Sequence, residues 1–330
     1  MADLRRKWRS YFNQLMALRA ERGPYRFLVR KWDEVSDIDL ATRVLETEFF
    51  EKEIIPAPLP IEKFKSILMI SPHQDDETIG AGGTLLLAAA AGAKIDVLYT
   101  TDGATNNQPH TETREEYVSV RNEEARKVCD RLGADVHHLN ISNTGPQPTT
   151  DDLDQLARIV NDVNPDLILA PWILDSPAKH RLTNHLLWLA HQRNKLRNFE
   201  VWGFQVHNTL FPNGYVDITS VADEKRELLE YFRSQNDHGV PFDHLAMGLA
   251  AWNSRFLDGS KERAYVEVFF ALPLYELLRL VERFYFTDFV ATYRGHSQVL
   301  PGALAIHETV MKSLGKSNGN GRSSQTRNGK

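Results

Sequence analysis

The sequence has little of three features that mark particular classes of protein. Its 330 residues include one cysteine, Cys129, which excludes an internal disulfide and a thiolate zinc cluster. It contains no run of about 18 uncharged apolar residues, so we expect no membrane-spanning helix. The N-terminus also lacks the continuous apolar core of a signal peptide. These absences predict a cytoplasmic location, and we expect Cys129 to be a small buried side chain.

The chain also lacks an excess of positive charge. The formal net charge is -5, which lacks the basic footprint typical of nucleic-acid-binding proteins, so we expect no nucleic-acid partner. Hydrophobic residues make up 42% of the chain and charged residues 25%, proportions that allow a sizeable core. The composition therefore predicts an ordinary globular protein.

The pattern of apolar residues divides the chain into three parts. Residues 1–60 predict an N-terminal helical extension that ends at the proline-rich PAPLP. Residues 61–314 predict an α/β catalytic domain, and residues 315–330 have almost no apolar side chain and predict a disordered tail. The basic, aromatic start of the extension is consistent with a membrane-surface helix, but later acids offset its charge and favour a helix packed on the domain.

Short apolar runs alternate with helical stretches from residue 66 onward. The candidate strands are SILMI, KIDVLYTT, ADVHHLNI, DLILAPW, EVWGFQVHN, YVDITS and AYVEVFFALP, and the candidate helices are GGTLLLAAAAGA, TREEYVSVRNEEARKVCDRLGA, DDLDQLARIVNDVNP and SVADEKRELLEYFRSQ. This alternation predicts a Rossmann-like, mostly parallel sheet with helices on both faces. In such sheets the ligand site lies at the carboxyl ends of the strands.

The stretch SPHQDDE, directly after the first of these strands, carries a histidine and three acids within five positions. The imidazole of His73 and the carboxylate of Asp76 suit zinc, and a turn from strand to helix lets them converge. Asp75 between them would then be the general base for an attacking water. Adjacent acids repel one another unless a cation neutralises them. The alternative is a solvated helix start, where the helix dipole favours acids.

The longer stretch SPHQDDETIGAGGT resembles the His-Pro-Asp-Asp-Glu signature of the LmbE/PIG-L zinc-dependent N-deacetylases. These enzymes remove an acyl group from an amino sugar, most often N-acetylglucosamine in a larger conjugate. The resemblance covers roughly residues 62–300 and implies His73 and Asp76 as metal ligands, Asp75 as the base, and one zinc ion per chain. Gln74 replaces the usual proline, which leaves the three functional side chains in place.

The third ligand of that family is the last histidine of a His-Pro-Asp-His motif after a later strand. Here His180, followed by Arg181, matches the end of that motif, so the resemblance implies His180 as the third ligand. The first three motif positions are Pro177, Ala178 and Lys179, so the upstream histidine of the family is missing. This departure leaves the general acid unassigned. It also leaves the alternative that the protein is a catalytically degenerate, sugar-binding relative of the family.

Several groups are candidates for the role of the missing histidine, either as general acid or in stabilising the oxyanion. Asp75 can pass its proton to the leaving amine, and Lys179, His207 or a group of the substrate can stabilise the oxyanion. His207 lies in FQVHN, where a structural histidine is an equally good interpretation. His185 lies five positions beyond His180 and faces a different side of a helix, so it is the weaker ligand candidate.

The resemblance also implies residues that contact the substrate. Arg121 in SVRNEEARKV matches an arginine that reaches the substrate in the family, although a helix-surface salt bridge with Glu124 is the alternative. Asp102, with the glycine after it, matches the Asp-Gly of the family. Trp172, Trp202 and Phe211 are consistent with stacking on a sugar or with core packing. We expect the loops at 103–116 and 236–260 to select the substrate.

Together with these residues, the resemblance implies a zinc-dependent hydrolase that removes an N-acyl group, expected to be acetyl, from an amino-sugar conjugate. The conjugate is a small molecule that is free, nucleotide-linked or lipid-linked, and the oligomeric state is not predicted. A nicotinamide enzyme is disfavoured because the glycines at 80, 82 and 83 lack the G-x-G-x-x-G spacing. We expect these glycines to pack the first helix against the strand before it.

Overall fold

The computed structural model describes residues 56–105, 113–145, 147–236, 241–257, 259, 263–287, 289–293 and 298–315. The predicted N-terminal extension lies outside these residues except for its last five positions. The predicted tail likewise lies outside them except for Gly315. The α/β part of the chain is thus the part that can be described.

One sheet of eight strands runs through the described residues. The strands are β1 (Ala57–Pro58), β2 (Ser66–Ser71), β3 (Lys94–Thr101), β4 (Asp135–Ile141), β5 (Leu167–Pro171), β6 (Glu200–Phe204), β7 (Gly214–Asp217) and β8 (Val266–Pro273), in the order β1-β7-β8-β6-β5-β2-β3-β4. β8 is antiparallel to its neighbours β6 and β7, and every other pair is parallel. The predicted Rossmann-like, mostly parallel sheet is confirmed.

Ten α-helices are formed by the described residues. They are α1 (Asp76–Ala90), α2 (Arg114–Leu132), α3 (Thr150–Val163), α4 (Ala178–Asn194), α5 (Ala222–Glu230), α6 (Arg233–Asn236), α7 (Phe242–Asn253), α8 (Leu274–Leu280), α9 (Phe289–Thr292) and α10 (Leu300–Ser313). None of these described helices combines the length and the apolar content that crossing a membrane requires. Local sequence explains several ends: α2 begins with a capping box at Thr113 and Glu116, and it ends at Gly133 in the left-handed conformation.

Alternate residues of the central strands enter two separate cores. In β2, Leu68 and Ile70 pack in the core that α3, α4, α8 and α10 cover. Ile67 and Met69 pack in the other core, which α1, α2 and α5 cover and which also holds the buried Cys129. The sheet therefore carries helices on both faces, which explains why its strands are continuous apolar runs.

Two expectations about local structure were wrong. The segment 236–260 was expected to be a loop, but it contains α7, because Ala246, Met247 and Ala250 have helical spacing and are buried. The glycines of α1 were expected to pack on β2, but a Cβ at Gly80 would lie 2.4 Å from Cδ2 of Phe204 in β6. Gly80 thus lets α1 approach β6.

A buried ion pair fixes α1 to the rest of the domain. The Lys225 ammonium in α5 lies 2.6 Å from a carboxylate oxygen of Glu267 in β8. The Glu267 carboxylate also accepts hydrogen bonds from the backbone amides of Gly83 and Thr84, at 2.9 and 2.8 Å. Lys225 donates to the carbonyl of Ile79 at 2.9 Å. The ion pair is therefore bonded to the backbone of α1 at Ile79 and, one helical turn later, at Gly83 and Thr84.

A second buried polar group joins α4 to the C-terminal helices. His185 Nε2 lies 3.2 Å from Nδ1 of His307 in α10, and His185 Nδ1 lies 2.9 Å from the hydroxyl of Tyr293. Burial lowers the pKa of His185 well below its ordinary value and lowers the pKa of His307 to about 4. Both histidines are therefore neutral at neutral pH, and His185 belongs to this cluster.

Replacing Lys225 with Met should lower the free energy of unfolding by about 3–5 kcal/mol, because it leaves the buried Glu267 carboxylate without its cation. Urea denaturation measures the change. Arg131→Met, which removes an exposed ion pair with Glu224, is the control and should cost at most about 1 kcal/mol. An equal loss in the two variants would contradict the role given to Lys225.

Lowering the pH should destabilise the protein through His185 and His307. Their pKa values are depressed in the folded state, so below about pH 6.5 the unfolded chain binds more protons than the folded chain. The part of the free energy of unfolding that these two histidines contribute should therefore fall from pH 8 to pH 5, by on the order of 1 kcal/mol for His307. His307→Gln should flatten this dependence, and His244→Gln on α7 is the control. An unchanged slope in the His307 variant would argue against this origin.

Candidate metal centre

The site lies at the point where the order of the sheet strands reverses. After β2 the chain continues outward through β3 and β4, and it then returns to β5 on the other side of β2. The carboxyl ends of β2 and β5 are therefore neighbours, and the connections that follow them diverge and leave a crevice. His73, Asp75 and Asp76 follow β2, and His180 lies in the first turn of α4 after β5.

The three predicted metal ligands converge in this crevice. Ligand atoms of His73, Asp76 and His180 all lie within 4.8 Å of one another. Oδ2 of Asp76 is 3.0 Å from Nδ1 of His73 and 3.3 Å from Nε2 of His180. Nε2 of His180 is buried and has no hydrogen-bond partner among the described residues, a costly situation for a polar atom. Two imidazoles and a carboxylate in this arrangement fit a divalent metal ion.

The charges of the cluster depend strongly on one another. Burial alone would raise the pKa of Asp76, but His180 and His73 outweigh it and hold that pKa well below its ordinary value. Burial opposes protonation of His180, yet Asp76 and Asp175 raise its pKa to about 10. In the metal-free protein a proton on His180 thus supplies the positive charge that the buried carboxylates require. A metal ion would take the place of that proton.

Asp175 orients His180, the third predicted ligand, and the sequence did not indicate this role. One carboxylate oxygen accepts a hydrogen bond from Nδ1 of His180 at 2.9 Å, and both side chains are completely buried. The other oxygen accepts the backbone amides of Ser176, His207 and Asn208 at 3.0, 3.2 and 2.7 Å. The hydrogen on Nδ1 leaves Nε2 free to bind a metal. Asp175 lies five positions before His180, a spacing that has no characteristic meaning in sequence.

Asp75 lies at the start of α1 in a strained backbone conformation. Its φ of 139° is rare for any residue other than glycine. Its carboxylate lies 3.3 Å from Nη2 of Arg121. Burial raises the pKa of Asp75 well above its ordinary value; Arg121 opposes the shift, and Asp76 and Glu77 add to it. A raised pKa makes this carboxylate a stronger base.

Arg121 is buried and bonded to protein groups. Besides Asp75, its guanidinium donates to the carbonyl oxygens of Gly103, at 3.0 Å, and of Gln74. The alternative salt bridge with Glu124 is not formed among the described residues, since Glu124 accepts hydrogen bonds from a distant serine. Arg121 thus positions Asp75 and the backbone around it, and its contact with a substrate stays a prediction.

Asp102 organises the loop beside His73. Its Oδ1 accepts the backbone amides of Ala104 and Asn143, each at 3.0 Å, and its Oδ2 pairs with Arg114. The side-chain oxygen of Asn143 lies 3.2 Å from Nε2 of His73. Asn143 follows β4 and was not among the predicted site residues. It holds the ring of His73 as Asp175 holds the ring of His180.

Lys179 and His207 flank the cluster differently. The Lys179 ammonium donates to the carbonyl of Ser142 at 3.0 Å, and burial lowers its pKa. His207 as a whole residue is exposed, and the centroid of its ring lies 5.2 Å from that of His180. Its side chain has no hydrogen bond to any residue that the structure describes. Surrounding protein atoms and His180 lower its pKa. His207 is therefore the more accessible of the two.

The aromatic side chains considered for sugar stacking belong to the core. Trp172 and Trp202 are 1% and 0% exposed. Phe211 is half-buried and packs against the core that contains Trp172. Core packing is thus the correct interpretation for the two tryptophans.

Comparison with known proteins shows which family this part of the chain is similar to. Residues 68–191, which include all three ligands, match the family model described as PIG-L, GlcNAc-PI de-N-acetylase, and the resemblance noted in the sequence is confirmed. A diacetylchitobiose deacetylase from Thermococcus kodakarensis is 27% identical over 192 residues, which cover 53% of this chain and 72% of the relative. A 4-oxalmesaconate hydratase from Pseudomonas putida is 26% identical over 225 residues, which cover 62% and 87%.

Solved structures of low sequence identity share the fold. The N,N'-diacetylchitobiose deacetylase from Pyrococcus horikoshii has a TM-score of 0.57 and 23% identity, with 72% of this chain and 94% of that chain covered. GalB, a 4-carboxy-2-hydroxymuconate hydratase from Pseudomonas putida, has a TM-score of 0.55 and 23% identity, with 63% and 96% covered. Different activities thus occur on this fold.

Asp175→Asn should weaken the affinity for Zn²⁺, used as the probe ion, by about 10- to 100-fold, because the orienting charge on His180 is lost. Calorimetric titration of the metal-stripped protein measures the affinity. Asp166→Asn is the matched control, since Asp166 also accepts backbone amides, those of Lys65 and Ser66, but at the amino end of β2. Equal affinities in the Asp175 variant and the wild type would contradict the orienting role.

Proposed function

We propose, because the ligand cluster lies within the segment that matches the PIG-L family, that the protein is a zinc-dependent hydrolase that removes an N-acyl group from an amino-sugar conjugate. The expected acyl group is acetyl. The observation that carries this proposal is the convergence of His73, Asp76 and His180 beside the carboxylate of Asp75. Two nitrogens, one carboxylate oxygen and an adjacent base are the protein groups that a catalytic zinc hydrolase needs.

Each residue then has a separate task. His73, Asp76 and His180 would hold one zinc ion, which when bound polarises the amide carbonyl and acidifies water. Asp75 accepts the proton of the water that attacks the acyl carbon, and Arg121 restrains its carboxylate. The carbon–nitrogen bond then breaks, and Asp75 returns the proton to the leaving amine. The products are a free amine and a carboxylate, which is acetate for an acetylated substrate.

His207 is the group that we assign to the oxyanion. Its ring lies beside His180 and is not hydrogen-bonded to any described residue, so an N–H can donate to the oxygen of the tetrahedral intermediate. Lys179 is less suitable, because its ammonium is already bonded to Ser142. For Asp102, Lys179 and Arg121 we propose a positioning role, since each is bonded to protein groups that line the site.

Two other functions make different predictions. A hydratase is favoured by the similarity to the 4-oxalmesaconate hydratase. Three cationic side chains described in the site, Arg114, Arg121 and Lys179, are each bonded to protein acceptors, which leaves them poorly placed to bind an acidic substrate. A sugar-binding protein without catalysis is disfavoured because the ligand cluster and Asp75 are intact. Both alternatives can be tested in the same assay.

The first experiment is the metal content of the purified protein, measured by mass spectrometry beside a His180→Ala variant. We expect about one zinc ion per chain in the wild type and loss of it in the variant, because one of three protein ligands is removed. No bound divalent metal, even after incubation with zinc, would overturn the proposal. Asp217→Asn, an exposed acid of β7, is the control for metal content.

The second experiment is acetate release from N-acetylglucosamine, N,N'-diacetylchitobiose and UDP-N-acetylglucosamine. Asp75→Asn should retain the metal and lose about 10²- to 10⁴-fold in kcat, since the base is removed. Asparagine tolerates positive φ better than most residues, so the fold should be kept. Full activity in this variant would contradict the role of Asp75. Consumption of 4-oxalmesaconate without acetate release would favour the hydratase, and sugar binding without turnover would favour the binding protein.

A further inference from the structure

One outer face of α7 is exposed and apolar. Leu245, Gly248 and Trp252 are three and four positions apart, so they line one face of the helix, which we call the α7 ridge. Leu245 is 49% exposed and Trp252 is 67% exposed. A Cβ at Gly248 would meet nothing within 4 Å, so the ridge has a shallow depression between its two large side chains. The opposite face, with Ala246 and Met247, is buried.

The helix α7 begins close to the metal centre, and the α7 ridge starts about one turn further along it, at Leu245. α7 starts at Phe242, whose ring centroid lies 6.0 Å from that of His207 in an edge-on arrangement. The ring of His207 in turn lies 5.2 Å from that of His180. Trp252 is ten positions beyond Phe242, a distance of about 15 Å along a helix. A molecule that reaches from the metal centre to Trp252 is therefore longer than a single sugar ring.

The ring of Trp252 is held in place before any ligand arrives. The guanidinium of Arg255 lies over it, 4.9 Å from the centroid, and also lies 4.3 Å from the centroid of Phe256. Arg255 donates to the carbonyl of Trp252 at 2.9 Å. A restrained aromatic ring loses little conformational freedom on binding. Its face suits the C–H face of a sugar ring, which is apolar and slightly positive.

We propose that the α7 ridge binds the part of a neutral oligosaccharide that extends beyond the acylated sugar. This inference rests on the proposed deacetylase function and specifies its substrate as a chain of sugars. The distal sugars lie along the ridge, with one ring near the depression at Gly248 and another on Trp252. The acylated end lies at the metal centre.

Other occupants fit the ridge less well. A stable protein interface covers about 800 Å² on each partner, far more than two large apolar side chains on one helix provide. An anionic membrane surface requires a cluster of basic residues. On α7 and the turn after it, the basic residues among those described are the exposed His244 and Arg255, which is stacked on Trp252 and is the single Arg or Lys there. A neutral and narrow ligand is the better match.

The test compares a short and a long substrate in the metal-loaded full-length protein. Trp252→Ala and Gly248→Gln should each lower kcat/KM for tetraacetylchitotetraose by about tenfold, and leave kcat/KM for N-acetylglucosamine within about twofold of the wild type. Trp252→Phe should keep most of the activity. Gln is a better helix former than Gly, so the Gly248 variant should fold. Tyr275→Ala removes another exposed aromatic residue, 51% exposed on α8, and is the control.

Equal effects on the two substrates, or no effect on the long one, would overturn the proposal. If the wild type releases acetate from neither sugar, the deacetylase function has failed, and intrinsic fluorescence then tests the ridge separately. A saturable change with chitotetraose that is absent in Trp252→Phe would still support saccharide binding, and no change would refute it. A wild-type dimer that becomes a monomer in Trp252→Ala, seen by light scattering, would also overturn the proposal.

Discussion

The buried carboxylate of Asp76 between two imidazoles is the interaction on which the site depends. Asp75, Asp76 and Glu77 are consecutive acids that the turn after β2 brings into the interior, where several negative charges cannot remain uncompensated. The proton on His180 provides compensation in the metal-free protein, and a metal ion would provide it more completely. The crevice between β2 and β5 brings together residues that lie more than one hundred positions apart in sequence.

Polar partners fix His73, His180 and Asp75 around this carboxylate. Asp175 orients His180, Asn143 contacts His73, and Arg121 pairs with Asp75. Further away, the Lys225–Glu267 pair fixes the helix that begins at Asp76. Ligands that are held before the metal arrives lose little freedom on binding it, which favours both affinity and a defined geometry. The buried polar groups thus stabilise the geometry of the site, although burying them costs some of the free energy of folding.

The sequence predicted the parts of this protein that have local signatures. β2, β3, β4 and β5 are apolar runs whose bounds are visible directly, and the ligands near position 75 are nearly contiguous. His180 depended on the family resemblance, because three of the four motif positions around it are changed. Asp175 and Asn143 were missed because their roles arise from contacts between different strand ends. The helix α7 was missed although its buried alanines and methionine have helical spacing.

Asp175 has a consequence for how this chain can vary. A single carboxylate binds both the imidazole of His180 and the backbone amides of His207 and Asn208, which follow β6. The position of that segment and the orientation of the third ligand are therefore set together. Exchanging a side chain there leaves the contacts with Asp175 in place, since they involve the backbone. An insertion or deletion between β6 and β7 would displace the amides, and the imidazole would lose its alignment even though no ligand had been altered.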